Sequence, residues 1–170
     1  PQFSFMFRMH AEMCARARAR YNPRILSSAY ALARTGRHMT FALVFPGQGS
    51  QSIGMLASLA AAESAVRETF DEASTVLGYD LWQLCQSGPA EALNSTERTQ
   101  PAMLAAGVAV WRAWCAHGGP VPSHMAGHSL GEFTALVCAG ALDFRTAIDL
   151  VRFRGQAMQA AVPPGRGAMA

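Results

Sequence analysis

Val121-Pro122-Ser123-His124-Met125-Ala126-Gly127-His128-Ser129-Leu130-Gly131 is the stretch on which the fold turns. Residues 121–126 read as a short strand interrupted by Pro122, and the next five fit G-x-S-x-G, a serine on a strand-to-helix turn. The spacing has a physical reason. A serine on so sharp a turn takes strained backbone angles, and flanking glycines let neighbouring chain pass without side-chain clashes. The turn also lifts the hydroxyl to the end of a sheet and sets the first helical N–H groups beneath any oxyanion formed there. By itself the pentapeptide also fits a structural glycine turn; its place between strand and helix favours catalysis by Ser129.

Working outward, the elbow helix runs to about Ala139 and closes at Gly140, and Asp143 caps another helix to about Ala161. Upstream, a long helix is expected to start after Thr99 with Pro101 in its first turn and to end at Gly118-Gly119. Its apolar positions include Leu104, Val108, Trp111 and Cys115. Phe41-Ala42-Leu43-Val44-Phe45 is a continuous apolar run closed by Pro46-Gly47, as a buried parallel strand should be. Helical patterns follow over 54–62 and 64–77, the second with Val66, Phe70, Ala73 and Leu77 at three- and four-residue spacing and Gly78 as its stop. Residues 79–98 look less regular, and 165–170 read as the start of a strand. Strands separated by helices predict an α/β fold with a mainly parallel sheet.

Composition narrows the function. With 51% hydrophobic and 15% charged residues the chain has the make-up of one that buries a core. The net charge of +3 is unevenly spread: residues 1–38 hold seven arginines against Glu12 alone, and 39–170 hold seven arginines against ten acids. The body therefore offers no case for nucleic acid, and no apolar run is long enough to span a bilayer. Lysine is absent throughout, which excludes a Walker-type phosphate loop. Cys14, Cys85, Cys115 and Cys138 are scattered and read as reduced thiols of a cytoplasmic protein, with no metal site. Residues 1–38 are read as an Arg-rich leader that does not pack, with Met39 as the natural start; the other reading is an organellar transit peptide.

Pro46-Gly47-Gln48-Gly49-Ser50-Gln51 follows the first strand, and its glycines free the backbone to present N–H groups. It is not a dinucleotide fingerprint, because Ser52 stands where the third glycine would fall. Alone it is a simple turn; beside a serine elbow it is a source of one oxyanion donor, since such a hole draws on two segments. His128 adjoins Ser129 and reads as a packing or orienting residue, because the base of a Ser/His site reaches the hydroxyl from elsewhere in the fold. His117 and His124 read as surface residues.

Phe45-Pro46-Gly47-Gln48-Gly49-Ser50-Gln51 taken with Ala126-Gly127-His128-Ser129-Leu130-Gly131-Glu132 resembles the malonyl-CoA:acyl-carrier-protein transacylase family of fatty acid synthesis. The likeness covers about 40–170 and takes in Gly78-Tyr79-Asp80-Leu81-Trp82, Thr99-Gln100-Pro101-Ala102 and Leu136-Val137-Cys138-Ala139-Gly140. It implies an α/β-hydrolase-like acyltransferase domain over 39–170, with a ferredoxin-like subdomain and the family's catalytic histidine lying beyond residue 170. By resemblance Ser129 is the acylated nucleophile, the backbone N–H groups of Gln48 and Leu130 form the oxyanion hole, and Arg154 pairs with the malonyl carboxylate. Taken alone, Arg154 reads as a solvated helix-surface residue. Malonyl-CoA and acyl carrier protein are the implied partners, no cofactor is expected, and the complete protein is expected to be a monomer. These 170 residues alone are expected not to turn over. Two other readings stay open: a serine esterase or thioesterase of the α/β-hydrolase class, and a non-catalytic fragment that binds carrier protein.

Overall fold

The computed structural model describes residues 41–161. Both the leader over 1–38 and the strand expected at 165–170 lie outside the described residues. Strand β1 spans Ala42–Phe45, and helices α1 (Ala57–Ala62), α2 (Ser64–Leu77), α3 (Leu81–Ser87), α4 (Ala90–Asn94) and α5 (Thr96–Ala116) follow. The chain then returns to the sheet as β2 (His124–Gly127) and continues into α6 (Leu130–Cys138) and α7 (Phe144–Ala161). Among the described residues the sheet has two strands, paired in parallel with Ala42 opposite His124 and Phe45 opposite Gly127. This is an α/β arrangement with a parallel sheet, as the strand–helix alternation predicts.

Helix α5 is the centre of the packing. Its residues Thr99–Ala106, with Val108, Ala109 and Ala113, are buried beneath α2, α6 and α7. The α2 stripe read from the sequence meets it: Val66, Phe70 and Ala73 are fully buried and Leu77 nearly so. Phe70 also meets Trp82 of α3 edge-on, with ring centroids 5.1 Å apart. Arg112 joins three helices by donating to Thr69 (3.1 Å) and Glu72 (2.9 Å) and lying over the Phe144 ring. At the end of α2, Gly78 takes a left-handed φ of 77° and its N–H closes on the Ser74 carbonyl.

Several boundaries differ from the sequence reading. Residues 79–98 hold α3, α4 and the start of α5 where an irregular stretch was expected; the Asp80 carboxylate caps α3 by accepting from the Gln83 N–H at 2.8 Å. Helix α5 begins at Thr96, one turn before the expected start, so Pro101 lies inside it. The extra turn is pinned from outside the helix ladder, where Thr99 Oγ1 donates to the Leu93 carbonyl at 2.6 Å. Strand β2 starts at His124, not Val121, since Pro122 has no N–H to give and the pairing opens with Ser123 N–H on the Phe41 carbonyl. Helix α1 begins at Ala57 instead of 54, behind a turn in which Gly54 and Leu56 both have positive φ.

Asp143 does cap α7. Its Oδ1 accepts from Thr146 N–H at 2.9 Å and Thr146 Oγ1 at 3.0 Å, and these hydrogen bonds hold the carboxyl below its ordinary value. A depressed folded-state pKa contributes stability that is present above the unfolded carboxyl's value and lost as pH falls through the folded one. Asp143→Ala is therefore expected to cost about 1 kcal/mol at neutral pH in urea unfolding, the usual worth of a cap, and the gap should narrow toward acid.

Candidate active site

Ser129 stands between the last residue of β2 and the first of α6 with φ 53° and ψ −107°, a conformation that side-chain-bearing residues rarely adopt. The strain is held by close packing on both sides. A Cβ on Gly127 would lie 2.0 Å from the Gly131 carbonyl carbon, and one on Gly131 would lie 2.1 Å from the Phe45 carbonyl oxygen. The end of β2, the first turn of α6 and the end of β1 thus meet backbone to backbone, and both glycines of the pentapeptide are required for that contact. The elbow closes with Gly131 N–H on the His128 carbonyl at 2.9 Å. Ser129 itself is exposed.

The glycine loop lies beside this elbow. A Cβ on Gly47 would come within 3.0 Å of the His128 carbonyl oxygen and 3.7 Å of its Nδ1. The loop is tied down from the far side by Gln48 Nε2 on Thr96 Oγ1 at 3.1 Å and Gln51 Nε2 on Asn94 Oδ1 at 2.9 Å. Leu130 is the first residue of α6, where a backbone N–H has no acceptor within the helix.

Arg154 is not a free surface residue. It is half-buried, its Nη2 donates to Ser129 Oγ at 3.0 Å, its Nη1 donates to Gln100 Oε1 at 2.8 Å, and its guanidinium lies over the Phe133 ring. Helix α7 reaches this position through Gly155, whose Cβ would lie 2.7 Å from Glu97 Cα on α5. Arg154 comes to the serine because α7 can cross the first turn of α5 this closely.

Gln100 and Thr96 were given no role by the sequence reading, although Gln100 lies in one of its matching stretches. The signal was available: a glutamine among the apolar residues of a helix's buried face is an expensive choice unless something binds it. His117 and His124 are exposed, as read. His117 pairs with Glu63 at 2.6 Å, His124 Nδ1 meets Ser123 Oγ at 3.1 Å, and His128 lies toward the glycine loop. Among the described residues no histidine hydrogen-bonds to Ser129. Nor do the buried thiols compete as nucleophiles, since burial pushes both Cys85 and Cys138 up to about 12.

An exposed serine on a strained strand-to-helix turn of an α/β unit is the arrangement of nucleophile-elbow proteins. Residues 42–170 match the acyl transferase domain family, and the chain belongs to that family. Among its relatives, the malonyl CoA-acyl carrier protein transacylase of Escherichia coli O157:H7 is 64% identical over 130 residues, which are 76% of this chain and 42% of the relative. The Bacillus subtilis strain 168 protein of the same name is 48% identical over 129 residues, 76% of this chain and 40% of its own length. Similar solved structures include an acyl carrier protein S-malonyltransferase from Vibrio cholerae, at 63% identity and a TM-score of 0.73 over 74% of this chain and 41% of that one. Another is a malonyl-transacylase in complex with its type II PKS acyl-carrier protein, at 65% identity and a TM-score of 0.73 over the same shares. The chain spans less than half the length of these relatives.

Proposed function

We propose that this chain carries the nucleophile and acyl-selecting part of a malonyl-CoA:acyl-carrier-protein transacylase. The observation that carries the reading is the contact of Arg154 Nη2 with Ser129 Oγ at 3.0 Å. A thioester attacked by Ser129 deposits its acyl group on that oxygen, so the guanidinium stands where the far carboxylate of a malonyl group would arrive. A planar fork of donors suits a carboxylate, and the pair can form as Nη2 passes from the serine oxygen to the new anion. The transfer is two displacements. Ser129 Oγ bonds to the malonyl carbonyl carbon, losing its proton as CoA leaves as the thiol; the phosphopantetheine thiol of the carrier protein then takes the malonyl group and restores the serine hydroxyl. Backbone N–H groups of Gln48 and Leu130 are the proposed oxyanion donors, supported by the position of the glycine loop against His128 and of Leu130 at the helix start.

The setting of this reading is an α/β-hydrolase-like sheet with a ferredoxin-like subdomain, in a monomeric cytoplasmic protein of fatty acid synthesis. A plain esterase needs no cation at the serine, and the Arg154 contact argues against one. Arg154→Ala is expected to slow acylation of Ser129 by malonyl-CoA at least about tenfold, the worth of one hydrogen bond to a charged partner, while sparing acetyl-CoA. The measurement is the intact mass of the chain over long incubations with each thioester. Equal losses with both would make Arg154 structural and end the reading of Arg154 as the residue that selects the acyl group.

A further inference from the structure

Gln100 has no solvent exposure and lies within Thr99–Ala106, the most deeply buried part of α5. An amide so placed is costly unless both of its ends are used. Both are. Oε1 accepts from Arg154 Nη1 at 2.8 Å, and Nε2 donates to Met158 Sδ at 3.3 Å. Because an arginine only donates, the amide oxygen must face it, which leaves the NH₂ group to the sulfur. Arg154 and Met158 are four residues apart on α7 and so share one helix face, which receives both ends of the amide. The backbone contact of Gly155 with Glu97 holds the two helices at this separation.

We propose that Gln100 is a positioning residue that sets acyl-group discrimination through Arg154. The proposal rests on the reading of Arg154 as the partner of the malonyl carboxylate. With Nη1 occupied by the Gln100 oxygen and the ring of Phe133 beneath, the guanidinium has one free course, with Nη2 over Ser129. A neutral acceptor is the right chemistry for this task. It orients the cation without neutralising it, whereas a carboxylate at the same place would take the charge that the acyl carboxylate needs. A leucine there would fill the space and leave Nη1 without its acceptor.

The test uses the 170-residue chain, Gln100→Leu and Gln100→Glu, with malonyl-CoA and acetyl-CoA titrated calorimetrically and the arginine side-chain NMR signals followed in each. Wild type is expected to prefer malonyl-CoA by about tenfold or more, and both variants should lose most of that preference with acetyl-CoA affinity little changed. The Arg154 guanidinium signals, assigned by their absence in Arg154→Lys, should be slowly rotating in wild type, averaged in Gln100→Leu and slow again in Gln100→Glu. That pattern separates orientation from charge, and the glutamate variant keeps a polar partner in the core should the leucine variant fold poorly. A malonyl preference that survives in both variants, or an unaltered Arg154 signal in Gln100→Leu, overturns the proposal. A wild-type chain with no preference sinks the Arg154 reading and the discrimination with it, while the NMR arm still decides whether Gln100 holds the guanidinium.

Discussion

Gly131→Ala is expected to abolish the native fold around Ser129, with a loss above about 4 kcal/mol, a large share of the 5–15 kcal/mol that typically holds a domain together. The added Cβ would lie 2.1 Å from the Phe45 carbonyl oxygen, 2.9 Å from its carbon and 3.0 Å from the Pro46 oxygen. All three are backbone atoms at the end of β1, so no side chain can swing aside. Relief requires prising β1 from α6, which breaks the register that pairs Phe45 with Gly127. Gly49→Ala provides the contrast. Nothing lies within 4 Å of its Cβ, and only a φ of 102° opposes the substitution, a cost of about 1–2 kcal/mol. Urea unfolding of the two variants compares close approach with conformational strain. A Gly131→Ala chain that unfolds cooperatively within about 1 kcal/mol of wild type would show that the elbow is looser than the contact of strand and helix requires.

The difference between those glycines also marks what could be read from the sequence. The elbow, the place of the first strand and the α2 stripe were legible because each is local: a fixed spacing, a continuous apolar run, a helical period. The burial expected of that strand is not observed: Phe45 is buried, but Ala42 and Val44 are exposed among the described residues. Val66, Phe70, Ala73 and Leu77 are all buried, as that period requires. The start of α5 was not legible, because Pro101 looks like a first-turn residue and the added turn is tied by a tertiary bond from Thr99 to Leu93. Pairing of the strands set the start of β2 in the same way, through Phe41 far away in the chain. In the site, Ser129 was visible from its own motif, but Arg154 read alone was a surface arginine. Its contact with Ser129 goes with a helix crossing that Gly155 permits and with a hydrogen bond to Gln100, two features separated by more than fifty residues in the chain and joined only by packing.

The 170-residue chain, given malonyl-CoA and carrier protein, is expected to transfer malonyl groups several powers of ten more slowly than the Escherichia coli relative. A serine hydroxyl is a poor nucleophile until a base within hydrogen-bond reach takes its proton, and removing that base from triad enzymes costs rates of this order. Among the described residues, the partner of Ser129 Oγ is Arg154, which only donates and cannot take a proton. His128 is adjacent in sequence, but its ring lies toward Gly47, on the side of the glycine loop. His117 is engaged with Glu63 and His124 with Ser123. Radiolabel followed onto the chain and onto the carrier on a denaturing gel measures both displacements, with circular dichroism reporting that the chain is folded. Transfer at a rate near the relative's would mean that a base does reach the hydroxyl. His128→Ala then identifies it: a further loss of a hundredfold or more, on the scale of one general base, would show that the ring turns from the loop onto the serine.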